Sequence, residues 1–322
     1  GSLGVELARM CASTCCRKRA RCQIRQGGEA CEGCQVITLT LPFLSAARAP
    51  LTESITVTNE LGQPENISIP AERSLTVYVD KRELVTLMTL GAQPEWLVLG
   101  YLINQRLVAS AADIESITVD WDVSAAAVKT HDGIDRIEER TAKKVVTTGC
   151  GQGSVYGALL DDIANVKLPP PEQANISQTD LYSLVNTIRV QETTYKSAGS
   201  VHACALFSLA PDLSPEMQLF VEDVGRHNAI DTIAGWMALQ PDERGRANHK
   251  VFYTTGRLTS EMIIKSAQMG VPIVVSRSGI THMGYQIAQQ LGLCAIGRAM
   301  NKRFVCFSGV DRIQFQLPFI SA

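Results

Sequence analysis

The segments MQLFVEDVGRHNAIDTIAGWMAL (217–239), KVFYTTGRLTSEMIIKSAQMG (250–270) and VPIVVSRSGITHMGYQIAQQLG (271–292) state one theme three times. Each opens on a short apolar run rich in β-branched or aromatic residues (QLFVE, KVFYTT, PIVVS). It then turns through a glycine and an arginine and enters a stretch with helical spacing of its apolar residues. Strands alternating with helices of this length predict an α/β domain with a largely parallel sheet, extended by CAIG (294–297) and RFVCFSG (303–309).

In such sheets ligands bind beyond the carboxyl ends of the strands. The loops expected there hold glycines, hydroxyls and cations: Gly225, Arg226 and His227; Thr255, Gly256 and Arg257; Ser276, Arg277 and Ser278; then Arg298, Lys302 and Arg303. The first three loops each open a helix, whose free N–H groups and positive dipole end favour an anion, so a phosphate-rich ligand fits. Turn chemistry alone also puts glycines and hydroxyls at strand-to-helix junctions, and the recurring cation is what raises the ligand reading to equal standing. No loop is a G-x-G-x-x-G or a G-x-x-x-x-G-K-[ST], so neither dinucleotide-fold nor P-loop chemistry is supported.

Upstream, ITVTNELGQPENISIPA (55–71) has β-branched runs either side of Gly62-Gln63-Pro64, and SLTVYVD (74–80) follows. QPEWLVLGYLINQRLV (93–108) has the spacing of an amphipathic helix, and ESITVDWDVSAAAVKTH (115–131) returns to strand. KKVVTT (143–148) reads as a short strand and LPPPEQANIS (168–177) as a surface linker. Three regions follow: a Cys-rich extension over 1–45, a smaller mixed, β-rich domain over 46–145, and the α/β domain over 146–322.

The 322 residues are 45% hydrophobic and 19% charged with a formal charge of −2, which is ordinary globular composition without the basic field of an electrostatic nucleic-acid binder. No apolar run reaches the ~18–20 residues of a membrane span and no signal-peptide pattern opens the chain, so a cytoplasmic protein with no membrane or nucleic-acid partner is expected. Six of the ten cysteines, Cys11, Cys15, Cys16, Cys22, Cys31 and Cys34, crowd the first region. In a large cytosolic chain that points to metal or redox chemistry. Cys31 and Cys34 with two of the others, taken as Cys15 and Cys22, would make an all-thiolate site for zinc or an iron–sulfur cluster; an unstructured tail is the alternative. Cys204, Cys294 and Cys306 sit in apolar runs and read as core residues. Cys150 differs: it follows the short strand and lies among Gly149, Gly151, Gly153 and Gly157, where a thiol can protrude and turn N–H groups can stabilise its thiolate, although a small buried loop residue would look the same.

TTGCGQG (147–153), VHACALF (201–207), VEDVGRHNAID (221–231), the run from Thr254 to Arg298 and RFVCF (303–307), in this order, resemble the FdhD family of formate dehydrogenase accessory sulfurtransferases, and LGYLINQRLV (99–108) resembles the family's N-terminal helix. The resemblance implies a cytidine-deaminase-like α/β domain and a homodimer. It implies that a cysteine desulfurase hands persulfide sulfur to Cys150, which passes it to the bis-molybdopterin guanine dinucleotide of formate dehydrogenase, with molybdenum or tungsten as the metal. The family's cofactor-binding stretch matches Arg298, Ala299, Met300, Asn301, Lys302 and Arg303. Carried over as pocket residues are His202, Asp223, Arg226, His227, Gly256, Arg257, Glu261, Lys265 and Ser276, with Asp223 or Glu261 suited to accept from a guanine edge. Zinc deamination is disfavoured, because no H-x-E followed by P-C-x-x-C is present.

Two departures qualify this. The family loop carries a second cysteine three residues after the first, and here that position is Gly153, so no disulfide relay can form inside the loop. A single persulfide carrier remains chemically sound; a cofactor-insertion chaperone that has lost sulfur transfer is the alternative. The six-cysteine extension is the second departure, and its thiols are candidates to replace the missing partner of Cys150.

Overall fold

The computed structural model describes residues 41–135, 137, 163, 166–191, 194–209, 214–240 and 249–316. The Cys-rich stretch through Cys34, the KKVVTT segment and the Cys150 loop lie outside the described residues. The first half opens with β1 (Phe43–Leu44), the hairpin β2 (Thr52–Thr58) and β3 (Pro64–Pro70), then β4 (Arg73–Val79), β5 (Arg82–Thr89), helix α1 (Pro94–Asn104), β6 (Ile114–Asp120) and β7 (Ala125–Thr130). The β2–β3 hairpin closes where the sequence placed its turn: Asn59 Oδ1 accepts from the N–H groups of Leu61 and Gln63, and Gly62 takes a φ of 73°. A five-stranded sheet forms in the order β1-β6-β7-β4-β5. Its apolar face (Leu75, Val77, Leu87, Ile117, Val128) packs on Leu97, Val98 and Leu102 of α1.

The second half begins with β8 (Ile176–Ser177), α2 (Gln178–Gln191) and α3 (Thr194–Ala198), then β9 (His202–Ser208), β10 (Glu216–Asp223) and α4 (Arg226–Ala238). The strand–helix repeat follows: β11 (Lys250–Thr254), α5 (Ser260–Gln268), β12 (Ile273–Ser276), α6 (His282–Leu291), β13 (Cys294–Met300), β14 (Arg303–Ser308) and β15 (Ile313–Gln314). Six strands order as β10-β9-β11-β12-β13-β14. Only β11, β12 and β13 are mutually paired in parallel, whereas β10–β9, β9–β11 and β13–β14 pair antiparallel. The sheet is therefore mixed rather than largely parallel. Asn301-Lys302 is the whole β13–β14 connection, and so short a loop enforces antiparallel pairing of those two strands. Alternate residues of these strands feed two cores. Leu206, Phe252, Val274 and Ala295 meet α4, α5 and α6, while Phe207, Val251, Tyr253 and Val275 meet α2. Burial on both faces explains why the strands read as continuous apolar runs. The proline-rich 168–177 stretch is pinned rather than loose, because the buried Arg312 guanidinium donates to the carbonyls of Pro169, Ala174 and Gly292.

Helices α1 and α4 join the halves. A Cβ on Gly100 would stand 1.7 Å from the Asp231 carbonyl oxygen, and one on Gly235 would stand 1.9 Å from that of Trp96, so the helices touch backbone to backbone. This contact makes α1 less amphipathic than its spacing suggests: Leu97, Val98, Leu99, Gly100, Leu102 and Asn104 are all buried. Beside the crossing lies a buried charge network. Asp231, fully buried, accepts from Asn104 Nδ2 at 2.7 Å and from Lys265 Nζ at 2.9 Å. Lys265 also lies 3.4 Å from Glu261 Oε1, and Glu261 Oε2 lies 3.2 Å from His227 Nε2. Burial alone would push Lys265 toward neutrality, but Asp231 and Glu261 outweigh it and hold its pKa above the ordinary lysine value.

Two outcomes are expected. Gly100→Ala or Gly235→Ala costs about 3 kcal/mol or more in denaturant unfolding, since neither helix backbone can retreat, whereas Gly279→Ala, with nothing within 4 Å of the added methyl, changes stability by less than about 0.5 kcal/mol. Lys265→Met strands Asp231 and costs about 3–5 kcal/mol, and pairing it with Asp231→Asn recovers a large part of that loss.

Candidate functional site

The carboxyl ends of β10, β11 and β12 and the start of antiparallel β9 meet at one end of the second sheet. Asp223 is in register with His202, and Thr254 with both Cys204 and Ser276. Hydroxyls shape the loops beyond. Gly256 N donates to Thr254 Oγ1 at 3.1 Å, Ser276 Oγ to the Gly256 carbonyl at 2.6 Å, Ser278 N to Ser276 Oγ at 2.9 Å, and Ala203 N to Thr255 Oγ1 at 3.0 Å. The turn residues that the sequence offered equally to structure or to ligand are thus engaged in structure.

The cations gather beside them. His202 is half-buried, and burial, followed by the guanidinia of Arg226, Arg277 and Arg257, holds its pKa below the usual 6.5. Arg226, the first residue of α4, is 6% exposed, and its Nε has no hydrogen-bond partner among the described residues. It runs past Gly256 so closely that a Cβ there would lie 2.6 Å from Arg226 Cδ, which explains why that position carries no side chain. Arg257 is exposed, and Arg277 stacks over the Tyr195 ring at 5.4 Å from its centroid. Tyr195 is held in turn, because the Glu222 carboxylate accepts from the N–H groups of Thr194 and Tyr195 at 2.8 and 3.0 Å. The N-cap of α4 is Gly225, which caps no first-turn N–H with a side chain. Three guanidinia, a neutral imidazole and an open helix N-terminus make a place for an anion with several oxygens.

A second feature adjoins it, because Arg298 N donates to the Ser278 carbonyl at 2.7 Å. The β13–β14 hairpin, strained at Arg298 (φ 53°) and Asn301 (φ 56°), forms one wall of a groove of about 1130 Å³. Arg298, Met300, Asn301, Lys302 and Arg303 line it, as do Phe304, Val305 and Cys306; Gln178 and Tyr182 of α2 and Phe315 complete it. Tyr182, Phe304 and Phe315 form an aromatic row with centroids 6.1 and 6.3 Å apart, the last two stacked. Cations beside aromatic faces suit a flat heterocycle bearing phosphates.

The sequence-derived residues therefore separate into three places. His202, Arg226, Gly256, Arg257 and Ser276 surround the sheet end. Arg298, Met300, Asn301, Lys302 and Arg303 line the groove, while Ala299 (1% exposed) points into the core. His227, Glu261 and Lys265 belong to the network behind α4. Asp223 is a clamp rather than an open acceptor: Oδ2 accepts from Thr89 Oγ1 and Leu90 N, and Oδ1 from Gly225 N and Asn228 Nδ2, leaving little for a guanine edge. Cys204 and Cys294 are buried as expected, but Cys306 is half-buried and faces the groove, a correction to its core reading. Cys150, Cys15, Cys22, Cys31 and Cys34 lie outside the described residues, and no metal-holding group of three or more His, Cys, Asp or Glu side chains occurs among the described ones. Sequence reasoning missed Tyr182, Phe304 and Phe315 as groove walls and Tyr195 as the support of Arg277. The alternation in RFVCF was the available signal for Phe304 and Cys306.

The chain is 28% identical over 246 residues to the sulfur carrier protein FdhD of Listeria innocua, covering 76% of this chain and 91% of that one. It is 28% identical over 243 residues to the protein of the same name from Bacillus subtilis, covering 76% and 89%. A crystal structure of a protein assigned as a formate dehydrogenase accessory protein of Desulfotalea psychrophila superposes with a TM-score of 0.63 at 23% identity, covering 82% of this chain and all of that one, which shows a shared mixed α/β fold. The sequence profile described as the FdhD/NarQ family matches residues 70–314, three quarters of the chain, and the protein belongs to that family.

Proposed function

We propose that this protein is a cytoplasmic sulfur carrier for the maturation of formate dehydrogenase, loading sulfur on Cys150 and holding the enzyme's bis-molybdopterin guanine dinucleotide, with molybdenum or tungsten, as cargo. Relatives named sulfur carrier protein over three quarters of the chain support the first part. The observation that carries the second is the buried Arg226, whose Nε lacks a partner, beside His202, Arg257 and Arg277 at the open N-terminus of α4. A pyrophosphate supplies an acceptor for the unpartnered Arg226 Nε and oxygens for His202 and Arg257, and the aromatic, cationic groove beside them suits a guanine or pterin ring. Among the described residues no helix is long and apolar enough to cross a membrane, which fits the proposed location. The partners in this reading are a cysteine desulfurase, the catalytic subunit of formate dehydrogenase and a second copy of the chain. The cytidine-deaminase-like assignment of the α/β domain belongs to the same proposal. It is supported by the sheet order, which counted from β9 runs second, first, third, fourth, fifth, sixth, with the first strand antiparallel to its neighbours.

In the chemistry proposed, the Cys150 thiolate attacks the outer sulfur of the desulfurase persulfide, a new S–S bond replaces the old one, and the desulfurase cysteine leaves as thiolate. The groups around the sheet end bind and orient the cargo. His202, held neutral, adds a donor without adding to the repulsion among the arginines. Gly153, standing where the family loop carries its second cysteine, keeps a cofactor-insertion chaperone as the second reading.

Two measurements separate these readings. GDP serves as a probe of the nucleotide end. By calorimetry it binds the wild-type chain at least about tenfold more tightly than Arg226→Met or Arg257→Ala, and it moves the His202 titration midpoint upward in NMR by offsetting the arginines. Equal affinities, or an unmoved His202 midpoint, would remove the anion assignment. After incubation with a cysteine desulfurase and cysteine, mass spectrometry of the tryptic digest shows one added sulfur on the peptide 145–167, which carries Cys150, and Cys150→Ala abolishes it together with formate dehydrogenase activation. If Cys150→Ala still activates the client and takes up sulfur at no cysteine, the chaperone reading replaces sulfur transfer.

A further inference from the structure

Of the three cysteines among the described residues, two are built to be inert. Cys204 is wholly buried, lies 3.3 Å from Thr254 Oγ1, and has its thiol pushed up to about 12 by burial. Cys294 is wholly buried in the core between the second sheet and α2. Cys306 differs from both. It lies on β14 opposite Ile296 of β13, and Cys294, two residues before Ile296, projects from the same face of the sheet, so the two thiols are diagonal neighbours on adjacent strands. Cys306 packs at the margin of that core, is half-buried, and forms part of the groove wall with Arg298, Lys302 and Arg303.

The hydrogen bonds give Cys306 a partner in either protonation state. As a thiol it donates to the Ser308 carbonyl oxygen at 3.2 Å. As a thiolate it accepts from the Cys294 thiol, and that bond, more than any other influence, draws its pKa below the ordinary value, while the same bond and burial drive Cys294 well above it. That bond favours the proton on the buried cysteine and the thiolate on the groove-lining one. A half-buried, groove-lining thiol with a lowered pKa beside an inert one is the arrangement of a nucleophile with its supporting donor, not of two core residues.

We propose that Cys306, supported by Cys294, is a second sulfur-accepting thiol that takes a sulfane sulfur inside the groove. This rests on the sulfur-carrier reading and deepens it: the loop around Cys150 lacks a second cysteine, and Cys306 supplies one where the cargo is proposed to lie. In the step, the Cys306 thiolate attacks the outer sulfur of a persulfide. A bond forms between Cys306 Sγ and that sulfur, the donor's S–S bond breaks, and the donor leaves as a thiolate that takes up the proton Cys306 released. One S–S bond replaces another, so neither oxidant nor reductant is consumed. Cys294 is a positioning residue here and does not take up sulfur.

The test uses the full chain and glutathione persulfide. After loading, alkylation and tryptic digestion, the peptide 304–312 reports Cys306 as its only cysteine and the peptide 145–167 reports Cys150. Mass spectrometry is expected to show one added sulfur on 304–312 in wild type and in Cys150→Ser, lost in Cys306→Ser with unchanged melting temperature. Sulfur on 145–167 but never on 304–312 overturns this inference and leaves the sulfur-carrier reading intact; sulfur on 304–312 alone supports the inference while removing Cys150 from that reading. Sulfur on neither peptide overturns both. The pH midpoint of Cys306 alkylation by iodoacetamide rises in Cys294→Val and is largely restored in Cys294→Ser. A midpoint unmoved by Cys294→Val overturns the supporting role of Cys294.

Discussion

The backbone contact between α1 and α4 at Gly100 and Gly235 is the constraint on which the remainder of the described structure depends. Helix α4 serves both halves: Ile230 and Ile233 fill the core under the six-stranded sheet, while Ala238 and Leu239 pack against the core of the five-stranded one. Its first residue, Arg226, is also the buried cation at the sheet end. Because the two helices approach to the limit set by their own carbonyls, α4 cannot slide or rotate without breaking a contact in one half. Packing along the length of α4 therefore fixes the position of Arg226, whose Nε has no hydrogen-bond partner among the described residues. The ion network adds a second constraint: Asp231 of α4 fixes Lys265 of α5, and Glu261 of α5 reaches back to His227, the neighbour of Arg226.

The sequence was legible where local chemistry and tertiary structure agree. The three strand–loop–helix units, the Asn59–Gln63 turn and the helix over 94–104 follow from apolar spacing and turn residues, and all are present. What could not be read were relations set across the fold. Nothing in QLFVE or VHACALF distinguishes a parallel from an antiparallel neighbour, since strands buried on both faces look alike in either case. Nor does residue type separate a ligand-binding carboxylate from a scaffold one. Asp223, Asp231 and Glu222 sit in or beside the most distinctive motifs, yet each is engaged by groups 27 to 134 residues away in sequence, such as Tyr195, Asn104 and Thr89. The groove was half legible: 298–303 stood out by resemblance, but its aromatic wall depends on α2 and on Phe315 folding back beside Phe304.

The engagement of those acids bears on the chemistry of the site. Three guanidinia gathered about one imidazole repel one another, and a nearby free carboxylate would relieve them. Asp223, the nearest candidate by register, spends both oxygens on Thr89, Leu90, Gly225 and Asn228, and Glu222 spends its own on the start of α3. Both carboxylates act on the scaffold: one locks the β10–α4 loop to β5, and the other sets the tyrosine on which Arg277 lies. Burial and the arginines of the sheet end together hold the pKa of His202 below its ordinary value. Like charges gathered this closely keep their geometry only in a frame that cannot relax around them. The glycine crossing supplies that frame.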